Sequence, residues 1–270
     1  MASSSPLLVW RGEGFGHGRS RKLGHLWVET ALSAGAWVLA LDRKGVPVSP
    51  SFSALAKKYK SRLILERGDV TSRRDLEKAR DRALRKSSLA VIVNNAGIDQ
   101  PPAVLKKNFT FSEIPIEDVR RMFEVNFLGA FQVLQVFGEG VARSGQGSVI
   151  NIGSLYSAVS PDQRFYDHLT GQTPFMKPPA YGASKAALAN LTKFLATLWG
   201  PKGVRVNTLS PGGVEGGQDG AFKSKFTARV PLSRMATLAD LRGPFLFLAS
   251  DASRYVTGIN LMVDGGFTTW

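Results

Sequence analysis

Ser148-Val149-Ile150-Asn151-Ile152, which leads to Ser154, and Tyr181-Gly182-Ala183-Ser184-Lys185 are the two pieces of sequence on which the reading turns. The first is a short apolar run of β-type residues that ends beside a serine, and the second opens a helical pattern. A tyrosine and a lysine four positions apart on one helix share a face. There the ammonium favours phenolate, which makes Tyr181 a usable acid or base near neutral pH. Taken singly, Ser154 reads as a helix N-cap, Tyr181 as a half-buried tyrosine and Lys185 as a solvated helix residue. Taken jointly, a serine at a strand end followed by this helix start points to chemistry.

On either side of these pieces, apolar runs recur between amphipathic segments: Leu7 to Trp10, Ala36 to Leu41, Arg62 to Glu66, Leu89 to Asn94, Val204 to Leu209 and Asn260 to Val263. Helices are predicted over Leu26–Ser33, Arg73–Leu84, Glu117–Val141, Tyr181–Trp199 and Leu238–Ala249, several of them stopped by glycine. The alternation predicts an α/β protein with one doubly wound, Rossmann-type parallel sheet and helices on both faces, and strands that are apolar throughout fit a sheet buried on both sides. No repeat or low-complexity linker divides residues 1–270, so a single domain is expected. Two segments fit neither element type: residues 158–180, with Pro161, Pro174, Pro178 and Pro179, and residues 211–229, rich in glycine and then basic. Long connections beside candidate catalytic groups read as substrate loops, because ligands in such sheets bind outside the strand C-termini.

Composition narrows the class. There is no cysteine, so disulfides and thiolate metal sites are excluded, and His17, His25 and His168 lack metal-ligand spacing. No apolar stretch is long enough to span a membrane and no secretory pattern opens the chain, which predicts a cytoplasmic, metal-independent protein. The net charge of +14 favours anionic ligands. Its basic residues between Arg73 and Lys86 alternate with Asp75, Glu77 and Asp81, as on a solvated helix face, and no nucleic-acid motif accompanies them.

With Asn94-Asn95-Ala96-Gly97 and Asn126 upstream, the ordered set of Ser154, Tyr181 and Lys185 resembles the short-chain dehydrogenase/reductase family from about Leu23 to Trp270. The resemblance implies hydride transfer between a nicotinamide cofactor and a carbonyl or alcohol. Tyr181 would be the proton donor and Ser154 the hydrogen bond to the substrate oxygen. Lys185 would favour phenolate and hold the nicotinamide ribose, and Asn126 would kink its helix and relay protons. It also implies that Asp69 and Val70 border the adenine, that Asn94, Asn95, Ala96 and Gly97 support the adenosine half, and that Pro211, Gly212 and Val214 begin the substrate lid beside nicotinamide. Asp42, ending the second strand, would accept the ribose hydroxyls and favour NAD, while Arg43 and Lys44 leave NADP possible.

The glycine-rich turn admits two registers. Gly12, Gly16 and Gly18 reproduce the family spacing, whereas counting back from Gly35 puts Gly18 first, Lys22 in the middle and Gly24 last, with Leu23 and Gly24 at the cofactor. A third reading makes residues 1–22 an altered segment. The separation of Ser154 from Tyr181, the opening Ser210-Pro211-Gly212-Gly213-Val214 and the ending Val263 to Trp270 look like oxidoreductases of flagellin-glycan and nonulosonic-acid sugar pathways. That implies a polar sugar-like substrate, with Gln163, Arg164, Tyr166, Gln218 and Lys223 as candidate contacts. A 3-oxoacyl-thioester or general carbonyl reductase is the alternative enzyme, and a non-catalytic scaffold with an impaired cofactor loop is the alternative of another class. The family's helix contacts imply a homotetramer or homodimer; no membrane partner is expected, and nucleic acid is the weakest reading.

Overall fold

The structure, a computed structural model, describes residues 6–10, 19–85, 90–99, 108–169 and 173–270, with side chains from Lys22 onward. Seven strands form one sheet: β1 (Pro6–Trp10), β2 (Trp37–Asp42), β3 (Leu63–Arg67), β4 (Val91–Asn94), β5 (Gly147–Ile152), β6 (Val204–Pro211) and β7 (Asn260–Val263). Their order is β3-β2-β1-β4-β5-β6-β7 and each pairing is parallel. The chain reverses its direction of growth between β1 and β4, and that switch point is where such sheets open a ligand crevice at their carboxyl ends.

The strands are apolar throughout because helices cover both faces. On one side α1 (Arg19–Ser33), α2 (Pro50–Lys58) and α7 (Arg242–Ala249) enclose a core that includes Leu26, Trp27, Phe52, Phe245 and Leu248, with the Trp27 and Phe245 rings stacked 5.0 Å apart. On the other side α3 (Arg73–Leu84), α4 (residues 116–143) and α5 (Pro179–Trp199) pack Leu76, Ala79, Val133, Phe137, Leu195 and Trp199 on the sheet. Both faces being helical, the fold is the doubly wound α/β architecture. A third cluster lies beyond the strand ends. It joins Phe165, Tyr166 and Phe175 of the first irregular segment to Phe222 and Phe226 of α6 (Gly220–Thr227) and to Phe267.

Local chemistry explains the helix starts. Ser72 accepts from the Asp75 amide to begin α3 at Arg73, as predicted. Ser49 accepts from the Phe52 amide and Pro50 occupies the first turn of α2, a helix the periodicity did not reveal. The long helix predicted over Glu117–Val141 is interrupted by π-helical stretches at Glu124–Gly129 and Leu134–Gly138.

One expectation is corrected. Helix α1 begins at Arg19, so Leu23 and Gly24 lie within it and not in the turn before it. Only the first four amides of a helix are free for a ligand, and these two residues fall beyond them. Arg19, Arg21, Lys22 and Leu23 are good helix formers, and a single interior glycine costs only about 1 kcal/mol. Gly12, Gly16 and Gly18 fall outside the described residues.

Candidate functional site

The two pieces quoted at the start meet at the carboxyl end of β5. Ser154 stands in extended backbone, and its Oγ accepts from the Tyr156 amide at 3.2 Å to cap the turn Leu155–Ser157. This turn packs on the start of α5. A Cβ on Gly182 would come within 3.0 Å of the Tyr156 carbonyl oxygen, so the bare glycine lets the turn of helix carrying Tyr181 approach the turn capped by Ser154.

Lys185, one helical turn after Tyr181, is 4% exposed and donates from Nζ to the Ile152 carbonyl at 2.8 Å. Burial lowers its pKa to about 8, against the opposing charge of Asp99. Its Nζ lies 6.0 Å from the centroid of the half-buried Tyr181 ring. An ammonium so placed stabilises a phenolate, and the hydroxyl of Ser154 is a donor for a neighbouring oxygen.

Asn126 is fully buried in the first π-helical stretch. It accepts from the Ile98 amide at 2.7 Å and donates to the Ile98 carbonyl and to Ser184 Oγ. It therefore clamps the chain leaving β4 to helix α5. Asn94 donates to Asn151 across the β4–β5 pair, and Asn95 accepts from the Trp27 indole, both at 2.8 Å. These two asparagines hold the central sheet, and Gly97 sits between Asn126 and Lys185.

A solvent-open cleft of about 710 Å³ lies along the carboxyl ends of β3 and β4, lined by Arg43, Asp69, Val70, Ala96, Ile98 and Arg121 among others. Apolar walls at Val70 and Ala96 stand beside Arg43 and Arg121 and the carboxylates of Asp69 and Glu124, a setting that can seat a flat base and hydrogen-bond a ribose. Asp69 is braced by the amide and hydroxyl of Thr71. Asp42 stands at the end of β2, fully buried, accepting from the Arg43 amide at 3.0 Å with Arg67 at 4.0 Å. Lys44 is held by Asp75 at 2.9 Å, so Arg43 is the cation of that pair that lines the cleft. The sequence pointed to Asp69, Val70 and Ala96 but not to Arg121, which α4 brings there from a distant part of the chain.

The second irregular segment is more ordered than its composition suggests. Gly212 donates to the Val263 carbonyl, which carries the β6–β7 pairing one residue past Pro211, and Val214 makes an isolated bridge to Ala236. Asp219 then caps α6, whose Phe222 and Phe226 rings stack on each other; Phe226 also stacks on Phe267, and Phe165 meets both α6 rings edge-on. Of the candidate contacts, Tyr166 is 5% exposed within this aromatic cluster, and Arg164 is engaged with Asp162, whose carboxyl it holds down at about 2. Gln163 accepts from the Lys177 amide, Gln218 donates to the Val214 carbonyl and Lys223 pairs with Glu215. These side chains serve the loops themselves. Among the described residues, no helix is long and apolar enough to cross a membrane, and no group of three His, Cys, Asp or Glu residues is placed to hold a metal.

Comparison with known proteins gives this geometry a context. Residues 16–268 match a family model described as enoyl-(acyl carrier protein) reductase. Galactitol 2-dehydrogenase of Rhizobium johnstonii is 29% identical over 265 residues, which cover 94% of this chain and 93% of that protein. A gluconate 5-dehydrogenase from Burkholderia cenocepacia, solved with NADP and tartrate, has a TM-score of 0.80 at 26% identity, covering 100% of this chain and 97% of that one. A short-chain dehydrogenase from Leptospira borgpetersenii with bound NAD+ likewise has a TM-score of 0.80 at 29% identity, covering 98% and 93%.

Proposed function

The chain belongs to the short-chain dehydrogenase/reductase family, and on that premise we propose that it oxidises or reduces a secondary alcohol or ketone of a small polyhydroxy substrate of the sugar-alcohol class. The observation that carries this reading is Lys185, buried, bonded to the end of β5 and one turn from Tyr181. A buried cation beside a phenol is costly to keep, and that cost supports a role in proton transfer at Tyr181.

The cleft bordered by Arg43, Val70, Ala96 and Arg121 would take the adenosine end of a dinucleotide, and its nicotinamide end, beside Ser154 and Tyr181, would supply or accept the hydride. In reduction the substrate oxygen gains negative charge. Ser154 donates a hydrogen bond to it and Tyr181 delivers a proton, while Lys185 stabilises the phenolate left behind. In oxidation Tyr181 takes the hydroxyl proton by the same path. Asn126 anchors the turn that faces Lys185. Gly18, Pro211, Gly212 and Val214 complete the proposed cofactor and lid contacts. Asp42 supports a preference for NAD, with NADP as the alternative.

The names of the relatives support a sugar alcohol or aldonate, and a flagellin-glycan or nonulosonic-acid sugar is the narrower substrate we propose within that polar class. A second reading, reduction of an acyl thioester, draws on the description of the matched family model and on the net charge of +14, which suits an acidic carrier. We further propose a cytoplasmic homotetramer or homodimer that covers Leu128, Phe131, Phe194 and Leu198, exposed apolar residues on α4 and α5. The test is nicotinamide absorbance during incubation with galactitol, D-arabinitol, gluconate and an acetoacetyl thioester, each with NAD and NADP. Polyol-dependent reduction of NAD, lost about 100-fold or more in Tyr181→Phe at unchanged cofactor affinity, is expected. Thioester turnover alone would select the second reading, and no turnover and no cofactor binding would select a scaffold.

A further inference from the structure

The reaction as derived uses one lysine, yet a second is buried at the same phenol. Lys177, only 6% exposed, lies with its Nζ 5.3 Å from the Tyr181 ring centroid, closer than Lys185 at 6.0 Å. Both oxygens of Asp99 hold this ammonium, at 2.5 and 2.6 Å, across 78 residues of sequence. Asp99 is one-third exposed, follows directly on the Ile98 clamped by Asn126, and acts on Lys185 as well. The Lys177 backbone is pinned in turn by Gln163.

We propose that Lys177 is a positioning residue for the proton donor: Asp99 and Lys177 form a balanced pair beside Tyr181, and that balance keeps the pH range of Tyr181 where Lys185 sets it. The proposal rests on the reading of Tyr181 given above. A buried ammonium is kept only with a partner, and a lone carboxylate at this spot would oppose phenolate. As a pair, the two charges nearly cancel at the phenol, so the loss of either one is felt in full. Among the described residues, the charged groups around Tyr181 are Lys185 from its own helix, Lys177 from the segment before it and, through Lys177, Asp99 from the turn after β4; the turn after β5 meets this helix with the Tyr156 backbone. Helix α4 meets it with the apolar Val119, Met122 and Phe123.

The signs are opposite for the two halves of the pair. Lys177→Met removes a positive charge and leaves Asp99 unbalanced, so phenolate forms at higher pH. Asp99→Asn leaves the ammonium unbalanced, so phenolate forms at lower pH. Shifts of about one pH unit each way are expected for a charge this close, and the double variant returns near the wild type. The experiment is the tyrosinate ultraviolet absorbance of each protein against pH, minus that of the same protein carrying Tyr181→Phe, which isolates one tyrosine of the five. It needs no substrate, so a failed activity screen leaves it intact, and a null result here leaves the activity assignment intact. Where turnover is measured, the acidic limb of kcat/KM for alcohol oxidation follows the same shifts. Lys177→Arg, which keeps the charge, holds the wild-type titration as the control, and Lys177→Gln serves if Lys177→Met does not fold. Titrations within about 0.2 unit of wild type in Asp99→Asn and in the folded Lys177 variant lacking charge, or shifts in the same direction, would overturn the proposal and leave the pair as a loop tie.

Discussion

The point where a Cβ would stand on Gly97 is 3.3 Å from Nζ of Lys185 and 3.4 Å from Oδ1 of Asn126. The lysine thus occupies room that only a glycine leaves. In Gly97→Ala the methyl displaces Nζ by a few tenths of an ångström, and kcat is expected to fall about tenfold because small misplacements near reacting groups are expensive. Chemical denaturation should show a loss under about 1 kcal/mol, and wild-type kcat in a folded Gly97→Ala protein would show that Lys185 has slack.

Lys185 carries a cost for the fold. Its pKa is lowered in the folded state from the ordinary 10.5 to about 8, so between those values the unfolded chain binds more protons and stability rises with pH. At neutral pH the burial reduces stability by at most about 3 kcal/mol. Lys185→Met fills the same space without charge but loses the bond to Ile152, for a net gain of about 1–2 kcal/mol at pH 7 that fades as the pH approaches 10. Urea midpoints at the two pH values check this, and a methionine variant weaker than wild type at pH 7 refutes it.

Phe226 touches three other rings, with centroids 4.9 Å away at Phe267, 5.6 Å at Phe222 and 5.7 Å at Phe165. Phe226→Ala should cost about 3–5 kcal/mol, within the range for deleting a buried aromatic side chain. The damage is expected at the lid, so KM should rise more than kcat falls, and limited proteolysis should cut first within residues 213–236. Cleavage elsewhere first would place the weakness in the main core.

Asp42 ends β2 with Arg43 and Arg67 beside it. In Asp42→Ala the two guanidinium groups lose their counter-charge and the repulsion of a 2′-phosphate disappears. Preference should move toward NADP by about tenfold, or 1.4 kcal/mol, in the ratio of kcat/KM for the two cofactors. An unchanged ratio would remove Asp42 from the selection of cofactor.

The seven strands were legible because helices on both faces demand uninterrupted apolar runs, and the ends of β5 and α5 followed from Ser154 and Tyr181. Helix α2 was missed although Ser49-Pro50 announces it, since α2 is only nine residues long and buries only Phe52 and Leu55. Helix α6 was missed for a different reason: its basic, glycine-led sequence is held by aromatic rings from residues far away in the chain. The start of α1 was placed too late by treating Gly24 as a loop residue. Lys177 and Asp99 belong to no local pattern, and only the fold brings them to Tyr181.

The two π-helical stretches give α4 a property that α5 lacks. A π turn holds one residue more than the α turn it replaces, so a helix containing one can lose a residue there and close into ordinary α geometry with both flanks still in phase. Helix α4 is therefore elastic in length at Glu124–Gly129 and Leu134–Gly138, although a deletion in the first stretch would unseat Asn126. In the regular α5 a single deleted residue between Tyr181 and Lys185 swings the lysine round the helix by about 100°. One long helix tolerates an error in counting, and the other, which carries the phenol and its ammonium, does not.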